Sequence, residues 1–184
     1  MLSLTVLLLS AMAVLSTARM REEGSVIESN FLMPDALPDN HDSYLCTAMR
    51  VDDMRSLYLT GFEPKGSMMI AHHMLLFGCE EPGSDQEIWN CGEMHPKESI
   101  YEKASVCADQ TTQSIVYAWA RDAPKLKLPE DVGFKIGGYT KTQYLILQVH
   151  YANPLDKPDQ SGIVITATTK HMPKRASTAL LVTD

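Results

Sequence analysis

The chain has 184 residues, with 16 basic and 23 acidic side chains and a formal net charge of −7. This length suits one domain, and an acidic chain without a basic patch argues against nucleic acid as a partner. Four cysteines without a C-x-x-C spacing, in a chain that carries an export signal, favour two disulfides over a structural zinc site. Four cysteines permit three pairings.

Residues 1–18 are predicted to be a secretory signal peptide. The run from Leu2 to Leu15 is apolar apart from small hydroxyl residues, and small residues follow at 16–18, before the expected cleavage point. The run is shorter than the roughly 20 residues that span a bilayer. No second apolar stretch follows, so we expect a secreted or lumenal mature chain without a membrane span.

The next residues, 19–30, are polar and without periodicity, which predicts a flexible leader before a domain at 31–184. From Phe31 onward, short apolar or alternating runs are separated by Pro, Gly, Asn and Asp, which is typical of strands. The predicted strands are 44–51, 57–62, 73–77, 115–120, 133–136, 144–151, 162–169 and 178–182. One or two helical turns are predicted within 97–106. Many short strands without alternating helices predict an all-β fold, either an antiparallel, jelly-roll-like β-sandwich or a barrel.

Two adjacent histidines, His72 and His73, precede an apolar run that is typical of a buried strand. Imidazole is the commonest protein metal ligand and suits copper, zinc, iron and nickel. Neighbouring side chains on a regular strand point to opposite faces. One metal can therefore bind both rings only if the backbone bulges there or the rings use different nitrogens. A third ligand must come from elsewhere, and His150 is the candidate. Taken alone, such a pair is more often a surface or hydrogen-bonded core feature than a metal site.

The segment 144–151 has the clearest strand pattern in the chain. Its period of two places one aliphatic set in the core, namely Leu145, Leu147 and Val149. The opposite face carries Ile146, Gln148 and His150. Gln148 either hydrogen-bonds a ligand imidazole and fixes its tautomer, or lies on an outward-facing polar edge.

Four ordered segments resemble the peptidylglycine α-hydroxylating monooxygenase family: AHHMLLFGC at 71–79, YAWARDAP at 117–124, VGFKIGG at 132–138 and YLILQVHY at 144–151. The resemblance extends from about Phe31 to the end of the chain. The related dopamine β-monooxygenases share the histidine pair, but MLLFGC and YAWAR are more similar to the peptide enzyme.

The resemblance implies a β-sandwich that holds the first, electron-transferring copper of the family on His72, His73 and His150. It places Tyr44 and Gln148 beside that copper. It also implies two disulfides, Cys46–Cys91 and Cys79–Cys107. A further bridge of the family, between the amino-terminal segment and a position near Ser161, has no cysteine at either end here.

The implied function is copper- and ascorbate-dependent hydroxylation of the α-carbon of a C-terminal glycine in secreted peptides, with dioxygen as co-substrate. In the family, peptide and dioxygen bind at a second copper, held by a His-x-His pair and a methionine of a second domain. After His150 this sequence offers His171 and Met172 and no His-x-His. The chain is therefore expected to be a truncated first domain, with no catalytic residue beyond the copper relay and no activity by itself.

Two alternatives remain open: a non-catalytic secreted copper-binding β-sandwich module, and an interaction domain whose histidines bind no metal. Copper binding is expected to weaken below about pH 6, because ligand imidazoles must be deprotonated.

Overall fold

A computed structural model describes residues 24–51, 54–92, 99–110 and 113–179. The predicted signal peptide lies outside the described residues, as does most of the predicted strand 178–182. Residues 178–179, which are described, are not part of a strand, and none of the described residues forms an α-helix. The prediction of helical turns within 97–106 is therefore wrong for residues 99–106, the part of this segment that the structure describes.

Eleven strands make up the described fold. They are β1 (Val26–Leu32), β2 (Ser43–Arg50), β3 (Ser56–Lys65), β4 (His73–Cys79), β5 (Trp89–Asn90), β6 (Ser114–Ala120), β7 (Leu126–Lys127), β8 (Val132–Gly137), β9 (Tyr144–Tyr151), β10 (Gly162–Thr168) and β11 (Lys174–Arg175). Seven of the eight predicted strands correspond to one of these, and β1, β5, β7 and β11 were not predicted.

The strands form two sheets. One sheet has six strands, in the order β1-β10-β3-β8-β11 with β7 also pairing β3, and the other has five, in the order β5-β2-β9-β4-β6. All pairs are antiparallel except β8 with β11. The predicted antiparallel β-sandwich is confirmed.

The main core lies between the two sheets. From β9 it takes the aliphatic set predicted for it, Leu145, Leu147 and Val149, each at most 1% exposed. From β10 it takes Ile163 and Ile165. Burying one such side chain contributes roughly 1.5–3 kcal/mol, so this alternation holds β9 in a single register.

A second, smaller cluster covers the outer face of the five-stranded sheet. It consists of Cys46, Phe77, Cys79, Trp89, Cys91, Val106, Cys107 and Ile146. We call residues 80–92 and 99–110, which supply part of it, the disulfide cover. The bonds Cys46–Cys91 and Cys79–Cys107 attach this cover to β2 and β4. Both faces of β9 are therefore buried, and Gln148 and His150 are each only 7% exposed.

The prediction of a flexible leader was wrong for residues 26–30, which belong to β1. This strand lies at the edge of its sheet and pairs only with β10. Val26 and Ile27 are exposed, whereas Phe31 is buried in the core. An edge strand with one ladder and few core contacts needs little hydrophobic alternation, so its sequence gave no strand signal.

Candidate metal centre

The pairing of β4 with β9 brings together histidines that are 77 and 78 residues apart in sequence. His73 is the first residue of β4 and lies opposite His150. His72 lies in a bend just before the strand, where its backbone N–H donates to the His150 carbonyl at 2.8 Å. Because His72 precedes the regular strand, it is free of the alternation that would send its ring to the opposite face.

The three rings converge through the same atom, Nδ1. The Nδ1–Nδ1 distances are 3.2 Å between His72 and His150, 3.3 Å between His150 and His73, and 3.4 Å between His73 and His72. A point equidistant from the corners of such a triangle lies about 1.9 Å from each nitrogen, close to the 2.0–2.1 Å at which imidazole binds zinc. The three side chains can therefore bind one metal ion with bonds of about this length. All three rings present Nδ1, so the alternative in which the rings use different nitrogens is not observed.

His150 also contacts β2, the strand that pairs with the other edge of β9. Tyr44 lies opposite His150 in the β2–β9 pairing, and the two rings stack with centroids 4.2 Å apart and planes 9° from parallel. Tyr44 also meets His73 edge-on, with centroids 5.9 Å apart. Asp42, two residues before Tyr44, places Oδ1 3.2 Å from His150 Nε2. The site is thus held by the starts of β2 and β4 and by the end of β9.

Burial favours the neutral form of two of the three imidazoles, those of His73 and His150. The pKa of His73 is lowered by burial first and then by the neighbouring His150 and His72. Burial likewise lowers the pKa of His150, although the hydrogen bond to Asp42 opposes it. Burial and the Asp42 charge raise the pKa of the Tyr44 hydroxyl. Neutral imidazole is the form that binds a metal, so the environment favours ligation at neutral pH.

The predicted partner Gln148 makes a different contact. Its side-chain amide donates to Cys91 Sγ at 3.3 Å, within the buried cluster under the disulfide cover. This places Gln148 on the same face of β9 as His150. Its predicted hydrogen bond to a ligand imidazole is not among its contacts with described residues.

The two other histidines that the structure describes, His41 and His171, lie apart from the cluster. His41 is exposed and its Nδ1 lies 3.3 Å from the Ala152 carbonyl, and His171 packs edge-on to Tyr58. Within the residues that the structure describes, the one group of three metal-ligating side chains in mutual reach is His72, His73 and His150.

The centre is open to solvent on one side. His72 is exposed, His73 is half-buried, and both line a cavity of about 740 Å³ together with Met68, Trp119 and Arg121. A small molecule can therefore approach the ligand rings from this side.

Asp42 was not singled out by sequence reasoning. Its position in the DSYLC segment, two residues before Tyr44, was the available signal. The role of Asp42 becomes apparent only from the register of β2 against β9, which sets Tyr44 opposite His150.

Fold and site together define a disulfide-bonded β-sandwich with a candidate metal centre of three imidazoles, a donor set that suits copper and zinc. The family described as copper type II ascorbate-dependent monooxygenase, N-terminal domain, matches residues 29–158. The chain belongs to this family, as the sequence motifs indicated.

Several curated proteins are similar over most of the chain. Peptidyl-glycine alpha-amidating monooxygenase A of Xenopus laevis is 40% identical over 148 residues, which cover 78% of this chain and 14% of that protein. Peptidylglycine alpha-amidating monooxygenase of Rattus norvegicus is 36% identical over 154 residues, which cover 82% of this chain and 14% of that protein. Tyramine beta-hydroxylase of Caenorhabditis briggsae is 28% identical over 137 residues, which cover 70% of this chain and 21% of that protein. The aligned part of this chain thus spans about a seventh of the length of its amidating relatives.

The disulfides bear on the compartment. Disulfides persist in oxidising environments such as the secretory pathway and the cell exterior, and this fold contains two. The described residues include no helix of the length and apolarity needed to cross a membrane.

Proposed function

We propose that this chain supplies the electron-transferring copper domain of a secreted, ascorbate-dependent peptidylglycine monooxygenase. The observation that carries the proposal is the convergence of His72, His73 and His150 through their Nδ1 atoms. The choice of a peptide substrate is supported by identities of 36–40% to amidating enzymes, against 28% to a tyramine hydroxylase.

A copper ion held by the three imidazoles would supply one-electron redox chemistry, with ascorbate as the reductant. The chain's own residues then have three tasks. The neutral rings provide nitrogen donors without a change in protein charge, β2 and β4 fix their orientation, and the open cavity beside His72 and His73 admits the reductant. Hydroxylation of a glycine-extended peptide with dioxygen is assigned to a second domain.

Copper binding is the first test. The purified chain should bind one copper ion, and His150→Ala should abolish tight binding because two rings are left. His171→Ala is the matched control, since His171 is an exposed histidine outside the cluster, and it should keep the full copper content. Copper stoichiometry measured by metal analysis after dialysis decides the matter, and an unchanged content in His150→Ala would remove that residue from the centre.

Activity is the second test. The purified 184-residue chain, loaded with copper and supplied with ascorbate, should not hydroxylate a glycine-extended peptide, because its described residues contain no second cluster of three His, Cys, Asp or Glu side chains that could hold a metal. Product measured by mass spectrometry would refute this division of tasks.

The same observation favours a second candidate, a secreted copper-binding module without catalysis. Sequencing the transcript beyond the codon for Asp184 separates the two functions. A His-x-His and a later methionine in frame would support the monooxygenase, whereas a stop codon would support the module.

A further inference from the structure

The two nitrogens of His150 face different partners. Nδ1 faces the other two histidines, at 3.2 and 3.3 Å, whereas Nε2 lies 3.2 Å from Asp42 Oδ1. Among the described residues, His150 is the only member of the cluster with a carboxylate on its distal nitrogen. The hydrogen bonds of the His72 and His73 rings stay within the cluster.

A neutral imidazole carries one N–H and one lone pair, and an ionised carboxylate can only accept. The hydrogen bond to Asp42 therefore requires the proton on Nε2 and leaves the lone pair on Nδ1, the atom that faces the cluster. We propose that Asp42 is a positioning residue of the metal centre, which fixes the tautomer and the ring orientation of His150. The inference rests on the proposed function in one respect, namely that the cluster binds copper.

The backbone around Asp42 is built to hold its carboxylate in place. Asp42 has a φ of 52°, in the left-handed region that aspartate tolerates better than most residues. The Ser43 hydroxyl donates to the Asn40 carbonyl at 2.8 Å and closes the turn. The Asp42 N–H points to the Ala152 carbonyl at 3.4 Å, and His41 Nδ1 lies 3.3 Å from the same oxygen. Ala152 is two residues beyond His150, so the turn is attached to the strand end whose ring it orients.

The stacked Tyr44 ring complements this hydrogen bond. Stacking fixes the plane of the His150 ring but leaves open which of its nitrogens carries the proton. The carboxylate 3.2 Å from Nε2 removes that freedom. Such a carboxylate partner on a ligand histidine typically changes metal affinity by 10–100-fold.

The experiment begins with the copper-free chain. Nitrogen-15 NMR of the imidazoles at neutral pH should show His150 as the Nε2–H tautomer in the wild type and as a mixture of tautomers in Asp42→Ala. A wild-type His150 with its proton on Nδ1, or an unchanged tautomer in Asp42→Ala, would overturn the proposal. This measurement needs no metal, so it stands even where copper binding fails and the proposed function falls.

Copper affinity is then compared in two variants, Asp42→Ala and Asp42→Gly, by competition with a chelator. Asp42→Ala should lose about 10–100-fold in affinity. Asp42→Gly removes the same carboxylate but relieves the positive φ, so an equal loss assigns the effect to the carboxylate. Recovery of wild-type affinity in Asp42→Gly would assign it to the backbone and overturn the proposal.

Asp42→Asn keeps the shape of the side chain and removes its charge. The amide can accept from Nε2–H or donate to an unprotonated Nε2, so His150 should become a mixture of tautomers, as in Asp42→Ala. Loss of the negative charge should raise the copper reduction potential, a change that a merely structural role would not produce. The matched control is Asp35→Ala, at a residue with nearly the same φ of 56° and a carboxylate that accepts from Gln160 Nε2 instead. Asp35→Ala should leave the His150 tautomer, the copper affinity and the copper reduction potential unchanged. A loss of copper affinity equal to that of Asp42→Ala would overturn the proposal.

Discussion

The two sheets of the sandwich have different tasks. The five-stranded sheet carries the three converging histidines, both disulfides and a second buried cluster on its outer face. The six-stranded sheet carries no disulfide among its described residues, and its contribution to the molecule is the opposite wall of the main core. The sheet with the candidate metal centre is therefore held from both sides, by the core beneath it and by the disulfide cover above it. Removing either support tests whether it matters for the centre.

The largest expected effect is the loss of a disulfide from the cover. Cys46→Ala/Cys91→Ala opens a bridge between residues 45 apart in sequence, which should lower the free energy of unfolding by about 4 kcal/mol in the chain-entropy model. Urea denaturation measures this loss. Hydrogen exchange should rise more in the cover and near Gln148 than in the six-stranded sheet, where the rise should reflect only the lower global stability. An equal rise in both sheets would contradict the separation of their tasks.

A matched pair of isoleucines compares the two buried clusters directly. Ile163 in β10 and Ile146 in β9 are both fully buried, the first in the main core and the second under the disulfide cover. Either change to alanine should cost about 3 kcal/mol in unfolding free energy. Ile163→Ala should leave copper affinity unchanged, and hydrogen exchange in the cover should rise more for Ile146→Ala than for Ile163→Ala. A loss of copper affinity in Ile163→Ala would show that the six-stranded sheet also tunes the centre.

A hydrogen-bonded link joins the end of β9 to residues 159–161, just before β10 and near one end of a disulfide that the family resemblance implied and this chain lacks. The Tyr151 hydroxyl donates to Asp159 Oδ2 at 2.7 Å, and the Ser161 hydroxyl donates to the other carboxylate oxygen at 2.8 Å. Burial and the neighbouring carboxylate raise the pKa of Tyr151, which keeps its hydroxyl a donor. All three side chains are buried.

Tyr151→Phe should therefore lower the unfolding free energy by about 2 kcal/mol, the usual cost of a hydrogen bond to a buried charge. Tyr139→Phe is the control, because Tyr139 is fully exposed, and it should have no effect in the same urea titration. A Tyr151→Phe protein as stable as the wild type would mean that the carboxylate finds another donor.

Much of this architecture could be predicted from local sequence patterns. The features that were not predicted depend on contacts between residues distant in sequence. The alternation of β9 gave its inner face because Leu145, Leu147 and Val149 recur with a strand period. The motifs supplied the three histidines that the structure brings together. By contrast, β1 is shaped by its one partner strand, and the disulfide cover by bridges whose pairing the residues alone left open. The role of Asp42 could not be predicted from the sequence, because it depends on the register of β2 against β9, which is a tertiary property.

The smallest predicted effect concerns pH in the copper-free protein and again distinguishes the two sheets. The pKa values of His73 and His150 are lowered in the folded state, so near and below the ordinary value of about 6.5 the unfolded chain binds more protons than the folded one. Stability should therefore fall as pH decreases from 7 toward 5, because protonation favours the unfolded chain. Urea unfolding with a chelator present measures the slope. The double variant His73→Gln/His150→Gln should flatten it, whereas His171→Gln, which alters a residue packed on the six-stranded sheet, should reproduce the wild-type slope. Equal slopes in all three proteins would show that the ligand histidines carry no stability cost before the metal binds.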